Sequence, residues 1–326
     1  MTRIGFHASH EQISPRQLLA DVQHAERAGF QMAMCSDHLA PWSTRQGHSG
    51  YTWSWLGAAL ATTELELGCV SAPGQRYHPV VHAQRIATLG QMFPGRFWAA
   101  LGSGQNMNEH VTGDPWPRKE IRTQRLEECV DVIRRLLAGE TVSHDGLIRV
   151  HEAQIWERAD PVPPLLAPAI TVESAGRVAA WGEGLVTLNQ PIEVLRDLLA
   201  AYREAGGAGP AALQVHLSWA PRQEEAERIA HDQWRSNVFD EPVDSDTAQP
   251  VAFDIMSEHV SMDAVHEAVK VSADLEQHVE WLQEYAELGF DDLYLHFVGQ
   301  QQDEFIDVFA EQVLPKVVPR AGAAAR

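Results

Sequence analysis

The chain is poor in positive charge. It has 25 Lys and Arg residues against 45 Asp and Glu residues, which gives a formal net charge of −20 over 326 residues. Nucleic acids and anionic membrane surfaces both attract proteins through clustered Lys and Arg. The composition therefore argues against both partners, and we expect the partner to be a small-molecule substrate.

Long apolar runs and cysteines are also scarce. No apolar stretch approaches the roughly 20 residues of a membrane span. Residues 1–6 already have a strand pattern, where a signal peptide would have an apolar core. The three cysteines, Cys35, Cys69 and Cys129, are an odd and widely spaced set, which predicts buried thiols in a reducing compartment. We therefore expect a cytoplasmic protein.

Several catalytic signatures are missing from the sequence. It contains neither a Gly-x-Ser-x-Gly elbow nor a phosphate-binding P-loop, which argues against common hydrolases and kinases. A metal-dependent barrel hydrolase would need several His and Asp ligands at strand ends. Only Asp37, His38 and His296 have such positions, so we predict no metal site.

What the sequence does contain is a regular alternation of strand-like and helix-like segments. Eight such units in one chain predict a (β/α)₈ TIM barrel, since a doubly wound open sheet rarely has eight evenly spaced units. The predicted strands are 4–8, 32–36, 65–71, 96–101, 165–169, 184–187, 213–219 and 292–297.

Two segments interrupt this alternation. Residues 139–163 are typical of an inserted β-hairpin with a polar turn, and residues 236–262 are acidic and predict an irregular lid or insertion. We expect one barrel domain over residues 1–319. The short Ala-rich tail, residues 320–326, is predicted to be disordered.

Polar side chains follow three consecutive predicted strands. Asp37, His38 and Trp42 follow the second strand, residues 70–77 end and follow the third, and residues 102–110 follow the fourth. In parallel α/β folds, ligands bind at the carboxyl ends of the strands. An imidazole beside a carboxylate and an indole is suited to proton transfer. The sequence therefore predicts a site at this end of the barrel.

The loop after the fourth strand begins Gly102, Ser103, Gly104. It lacks the third glycine of a dinucleotide-binding loop, because Met107 holds that position. The pattern instead indicates a loop whose backbone comes close to a flat ligand.

Taken together, these motifs resemble the bacterial luciferase-like oxidoreductases, in particular the branch of the F420-dependent glucose-6-phosphate dehydrogenases. The resemblance extends from Arg3 to about Pro319. The residues that carry it are 36–38, 41–42, 47–48, 76–79, 94–97, 102–104 and 108–110.

The resemblance implies a barrel that binds FMN or F420 at the carboxyl ends of its strands and that forms a homodimer. It implies that Asp37 lies beside the cofactor ring, that His38 transfers a proton and that Trp42 lines the substrate side. It also implies a non-prolyl cis peptide near Val70 and Ser71.

The sequence departs from this branch at several positions. Gln105 stands where the dehydrogenase has a catalytic Glu, and an amide cannot act as an acid. The basic residues that bind the sugar phosphate in the dehydrogenase have no counterpart in residues 187–193. In residues 252–270, Lys270 is the only Lys or Arg. Residues 167–171 replace a Gly-Gly turn that binds the cofactor phosphate. Glucose 6-phosphate is therefore not the expected substrate, and the absence of a basic groove for the anionic F420 tail favours FMN.

The sequence thus predicts a flavin-dependent oxidoreductase or monooxygenase acting on a small organic substrate. The alternatives are an F420-dependent dehydrogenase or reductase and a non-catalytic flavin-binding protein. The predicted catalytic residues are Asp37, His38 and Gln105, and the predicted substrate pocket contains His38, Trp42 and Arg76. The predicted cofactor contacts are Asp37, Val70, Ser71, Ser103, Gly104, Gln105, Asn108, Ala169, Ile170 and Thr171.

Overall fold

The computed structural model describes residues 2–317, so the tail predicted to be disordered lies outside the described residues. The strands in chain order are β1 (Arg3–Ala8), β2 (Met32–Ser36), β3 (Glu66–Ser71), β4 (Phe97–Leu101), β5 (Val142–Asp145), β6 (Arg149–Ala153), β7 (Leu165–Pro168), β8 (Leu185–Leu188), β9 (Ala211–Ser218), β10 (Lys270–Val271) and β11 (Asp292–Phe297). The α-helices are α1 (Pro15–Ala28), α2 (Thr52–Thr62), α3 (Pro79–Met92), α4 (Asn106–Glu109), α5 (Lys119–Leu137), α6 (Val172–Val178), α7 (Ile192–Glu204), α8 (Gln223–Trp234), α9 (Val243–Asp246), α10 (Pro250–Met256), α11 (Met262–Ala268), α12 (Leu275–Leu288) and α13 (Asp303–Gln312).

Eight parallel strands close into a barrel, which confirms the predicted fold. The order around the barrel is β1, β2, β3, β4, β7, β8, β9 and β11, and β11 pairs with β1 to complete the ring. The closing register aligns Arg3 with Asp292 and Phe6 with Leu295. All eight strands correspond to segments predicted from the sequence. Their carboxyl ends therefore meet at one end of the barrel, as the predicted site requires.

The helices begin and end where local sequence favours it. At α1, the Ser14 side chain accepts a hydrogen bond from the Gln17 amide, and Pro15 occupies the first helical position. Gly29 ends this helix with a φ of 109°, a left-handed conformation that glycine adopts without steric cost. No helix among residues 2–317 has both the length and the apolar character needed to cross a bilayer.

The two segments that interrupt the alternation have different structures. Strands β5 and β6 form an antiparallel hairpin within residues 139–163. The expectation of an irregular segment over residues 236–262 is wrong, because it contains α9, α10 and the start of α11. Local caps explain these short helices: Pro250 begins α10, and the Ser261 side chain accepts a hydrogen bond from the Ala264 amide at the start of α11.

Inward-facing side chains change from apolar to polar along the barrel. An apolar cluster that includes Met32, Met34, Trp98 and Tyr294 fills the barrel interior. Because side chains alternate along a strand, the next inward positions toward the carboxyl ends include Ser36 after Met34 and His296 after Tyr294. The barrel interior is thus filled by apolar side chains, and polar side chains follow toward the carboxyl ends of the strands. This arrangement places a site at the carboxyl ends, next to the apolar cluster.

Gly68 makes room for the largest side chain of this cluster. It is paired with Trp98 across β3 and β4, and a Cβ at this position would overlap the Trp98 indole. We predict that Gly68→Ala lowers the free energy of unfolding by about 1–3 kcal/mol or more, measured by urea denaturation. Gly57→Ala in α2 is the matched control, because a Cβ there meets nothing within 4 Å and Ala favours helix. Equal stability of the two variants would contradict this account of the barrel interior.

Candidate active site

A cavity of about 620 Å³ lies above the apolar cluster at the carboxyl ends of the strands. Its walls come from β1, β2, β9 and β11, from the residues after β7, from the end of β8 and the residues after it, and from the segment between the end of α8 and the end of α11. Four of the residues predicted for the site line it, namely His38, Trp42, Ile170 and Thr171. The volume is in the range of pockets that enclose drug-sized ligands.

His38 lies in the wall beside a carboxylate that the sequence analysis did not single out. Its Nδ1 is 3.2 Å from Oε1 of Glu11, although the two are not aligned as a hydrogen bond. Glu11 is buried, and its other oxygen accepts a hydrogen bond of 3.0 Å from the Ser9 hydroxyl. The Trp42 ring lies 5.5 Å from the imidazole, centre to centre. The carboxylate within ion-pair distance of His38 is therefore Glu11.

The protonation of His38 depends on two opposing effects. Burial lowers the pKa of its imidazole, and the neighbouring Glu11 carboxylate raises that pKa in part. The net shift is downward, so the ring is neutral at pH 7 and able to accept a proton. A neutral imidazole in a cavity wall is the form that a general base requires.

Asp37 is directed away from the cavity into a set of hydrogen-bond donors. Its Oδ2 accepts bonds from Trp53 Nε1 at 2.9 Å and from the Ser71 hydroxyl at 2.7 Å. Its Oδ1 lies 3.3 Å from the Tyr77 hydroxyl, which donates to it, and 3.4 Å from Nη2 of Arg76. Only 4% of Asp37 is exposed. The carboxylate therefore holds the ends of β2 and β3 together, and neither Asp37 nor Ser71 is among the described residues that line the cavity.

Arg76, predicted for the substrate pocket, is instead buried between two carboxylates. Its side chain is only 9% exposed, with Asp37 Oδ1 on one side and Glu109 Oε1 at 3.7 Å on the other. The Glu109 Oε2 also accepts a bond of 2.6 Å from the Arg76 amide. Burial raises the pKa of the Glu109 carboxyl, against the effect of Arg76. This pair holds the loop after β3 in place. Neither Arg76 nor Glu109 is among the described residues that line the cavity.

The loop after β4 lies beside the cavity. None of the described residues that line the cavity comes from this loop. Asn108 is buried, and its Oδ1 accepts bonds from the amides of Leu39 at 2.8 Å and Ala40 at 3.4 Å. Asn108 thereby shapes the turn that carries His38. Gln105 precedes the short helix α4 and is half-buried, as are Ser103 and Gly104.

The remaining predicted cofactor contacts are divided between wall and core. Thr171 lines the cavity and also caps α6 through reciprocal bonds with Ser174. Ala169 is buried behind Ile170, and its amide donates to Val186 in β8. Val70 packs against the apolar cluster inside the barrel.

The cis peptide expected near Val70 and Ser71 is not found there. Both residues lie in β3, in regular parallel register with Ala100 and Leu101. In the described chain the cis bonds are prolyl, at Pro161 and Pro242.

Four polar side chains on three strands form the floor of the cavity, and the sequence analysis missed them as a group. The rings of His7 and His296 are stacked with centres 4.2 Å apart. Gln214 Nε2 donates to both His216 Nε2 and His296 Nδ1 at 3.0 Å, while His296 Nε2 donates to Gln12 Oε1 at 2.7 Å. Both ring nitrogens of His7 are buried without a hydrogen-bond partner. These contacts join the four side chains into one polar floor, in which the nitrogens of His7 are buried.

The floor histidines are neutral, because burial lowers the pKa of each. In residues 2–317, no group of three or more His, Cys, Asp or Glu side chains has a metal-binding arrangement. The floor is consequently a polar surface without charge.

Buried histidines make the stability dependent on pH. Six have a pKa that burial lowers: His7, His38, His82, His216, His278 and His296. The unfolded chain binds protons below its His pKa of about 6.5 while the folded chain does not, so stability is lost as pH falls through this value. Carboxyls whose pKa burial raises, such as Asp21 with a value of about 6, oppose the effect in smaller number. We predict that the free energy of unfolding drops by about 2 kcal/mol from pH 6.5 to pH 5.5. Urea denaturation measures it, and equal or greater stability at pH 5.5 would be contrary to this assignment.

Comparisons with known proteins identify the family and the fold. The model of the luciferase-like monooxygenase family matches residues 1–292. An F420-dependent glucose-6-phosphate dehydrogenase from Beutenbergia cavernae is 35% identical over 336 residues, which cover 98% of each chain. A solved F420-dependent secondary alcohol dehydrogenase, in complex with an F420–acetone adduct, has a TM-score of 0.90 and 27% identity, and the match covers 97% of this chain and 99% of that one.

A more distant structure shares the fold alone. It is riboflavin lyase with modified FMN and riboflavin, with a TM-score of 0.77 and 16% identity, covering 100% of this chain and 94% of that one. The resemblance inferred from the sequence is confirmed. With most of its length matched by the family model, the chain belongs to the luciferase-like monooxygenase family of oxidoreductases.

Proposed function

We propose that this protein is an F420-dependent dehydrogenase that oxidises an alcohol to a carbonyl compound. The observation that carries the proposal is the neutral His38 in the cavity wall, 3.2 Å from Glu11 and next to Trp42. The F420-dependent relatives support the choice of reaction and cofactor. FMN, which the sequence analysis favoured, has support only from more distant structures such as the riboflavin lyase.

The residues present fit a flat cofactor next to the cavity. Gly102 has neither a left-handed backbone nor a crowded environment, since a Cβ there would meet nothing closer than Pro168 Cγ at 3.7 Å. Its lack of a side chain leaves space at the end of β4 that the packing of the protein does not require. We propose that the backbone of residues 102–104, together with Ile170 and Thr171, holds the ring system of F420.

Each group in the wall has a distinct task in this mechanism. Bound F420 would supply the hydride acceptor for the carbon of the alcohol. His38 accepts the hydroxyl proton at a ring nitrogen, so that the O–H electron pair forms the second bond of the carbonyl group while the C–H electron pair leaves with the hydride. Glu11 stabilises the imidazolium formed, and Trp42 shields the reacting carbon from water. Gln105 takes no part in proton transfer in this mechanism. A homodimer remains the expected assembly.

The cofactor assignment is tested by equilibrium titration of the purified protein with F420 and with FMN. We expect a Kd for F420 below about 100 μM, the level of ordinary cofactor affinity, and at least tenfold weaker binding of FMN. Tighter binding of FMN would overturn the proposal.

Gly102→Ala tests the position of the cofactor. The added Cβ would occupy the open space at the end of β4 and would meet nothing in the protein closer than Pro168 Cγ at 3.7 Å. We predict at least tenfold weaker F420 binding with unchanged urea denaturation. Unchanged F420 affinity would show that the cofactor does not approach this backbone.

A further inference from the structure

The charges around the cavity are of one sign. Of the described residues that line it, none is Lys or Arg. Five are carboxylates, Glu11, Asp240, Glu241, Asp244 and Glu267. Glu11 lies deep beside His38, whereas Asp240 and Glu267 are exposed and Asp244 is half-buried. These three, which we call the acidic rim, come from the segment between α8 and the end of α11.

Cations that do not line the cavity neutralise only part of this charge. Glu241 is paired with Lys119 and with Arg122, whose Nη2 lies 3.1 Å from it. One oxygen of Asp244 is buried without a hydrogen-bond partner. Burial raises the pKa of Asp244 to about 6, so the negative charge of the rim is carried mainly by Asp240 and Glu267, which are exposed and line the cavity.

The interior below the rim offers hydrogen bonds without charge. His7 is 3% exposed and lines the cavity, and neither of its ring nitrogens has a partner. Gln190 Nε2 in the wall also lacks one. The interior that these residues line is polar and uncharged, which suits a ligand with hydroxyl or carbonyl groups. A phosphate would need cationic partners in their place.

We infer that the cavity accepts a hydroxy compound that is uncharged or positively charged, and that the acidic rim rejects anionic ones. The inference rests on the proposed dehydrogenase function and names its substrate class. Like charges brought together on binding oppose association, and the effect weakens as salt screens exposed charges.

Two matched series test the inference in the presence of F420. One contains glucose, glucosamine and glucose 6-phosphate, and the other contains isopropanol, isopropanolamine and lactate. The reduction of F420 gives kcat/KM for each compound. We expect turnover of a neutral or cationic member and a kcat/KM at least tenfold lower for the anionic member of the same series. The ratio should shrink as salt is added.

Variants of the rim separate its charge from the shape of the cavity. Glu267→Lys is expected to raise kcat/KM for the anionic member, relative to the neutral one, by at least tenfold. Glu258→Lys is the matched control, because it makes the same charge change at an exposed residue. Glu258 is not among the described residues that line the cavity. It should leave the ratio within twofold of the wild type.

The outcomes distinguish the two proposals. If F420 binds and an anionic member is the best substrate, or if no neutral or cationic member is oxidised, the inference is overturned and F420 dependence stands. An equal effect of Glu267→Lys and Glu258→Lys also overturns the role of the rim. If F420 does not bind, the proposed function fails and the substrate class fails with it.

Discussion

Replacing His38 with Ala is expected to lower kcat by about 10²–10⁴-fold, the usual contribution of a positioned general base. The side chain lies in the cavity wall beside Glu11, and no other described imidazole there has a carboxylate neighbour within ion-pair distance. F420 affinity should be unchanged, because the variant removes the proton acceptor and leaves the loop after β4 intact. Steady-state kinetics and cofactor titration measure the two effects.

Glu11→Gln provides the diagnostic comparison. Glu11 raises the pKa of His38, so its neutralisation lowers that pKa further. Activity needs the neutral imidazole, and the acid limb of the kcat/KM profile should therefore move to lower pH. A His38→Ala enzyme with unchanged turnover, or a Glu11→Gln profile that moves to higher pH, would remove the pair from the mechanism.

Replacing Asp37 with Ala is expected to lower the free energy of unfolding by about 3–5 kcal/mol, as for removal of one partner from a buried ion pair. The carboxylate accepts bonds from Trp53, Ser71 and Tyr77, and it lies next to the buried Arg76. Removing it leaves these donors unpaired, which costs the full desolvation of each. Urea denaturation of the whole chain measures the change.

Asp145→Ala is the matched control for Asp37→Ala, because Asp145 is exposed and its pair with Arg149 is exposed on both sides. Such a surface pair contributes little to stability. A loss at Asp37 no larger than at Asp145 would mean that the ends of β2 and β3 are held together by other contacts.

The fold could be predicted because its determinants are local. Each barrel strand is a short apolar run, and α1 carries its own cap at Ser14 and its own stop at Gly29. The pair of His38 and Trp42 could also be found, since both follow β2 by a few residues. The burial of Asp37 could not, because its partners Trp53, Ser71 and Tyr77 come from later segments.

The floor and the acid beside His38 depend on contacts over long sequence distances. Glu11 follows β1, and only the barrel brings it to the end of β2. His7, His216 and His296 each stand among apolar residues of a strand, where a single His usually indicates a satisfied core residue. Their inward register in three neighbouring strands makes them one surface. The end of β1 was the part of the sequence that could have revealed Glu11.

The preference for FMN rested on missing basic residues and on the acidity of the chain. Net charge describes steering and solubility, and neither argument locates the groups beside a cofactor. The absence of Lys and Arg from the described cavity wall instead informs the choice of substrate.

We propose above all that the substrate is oxidised in this cavity by hydride transfer to F420, without a reaction with oxygen. The most direct test is anaerobic turnover of isopropanol or glucose with F420, with quantification of the carbonyl product and of reduced cofactor. We expect one equivalent of each, formed without oxygen and lost in the His38→Ala variant. Product formation that requires oxygen and FMN, with F420 left oxidised, would contradict the account.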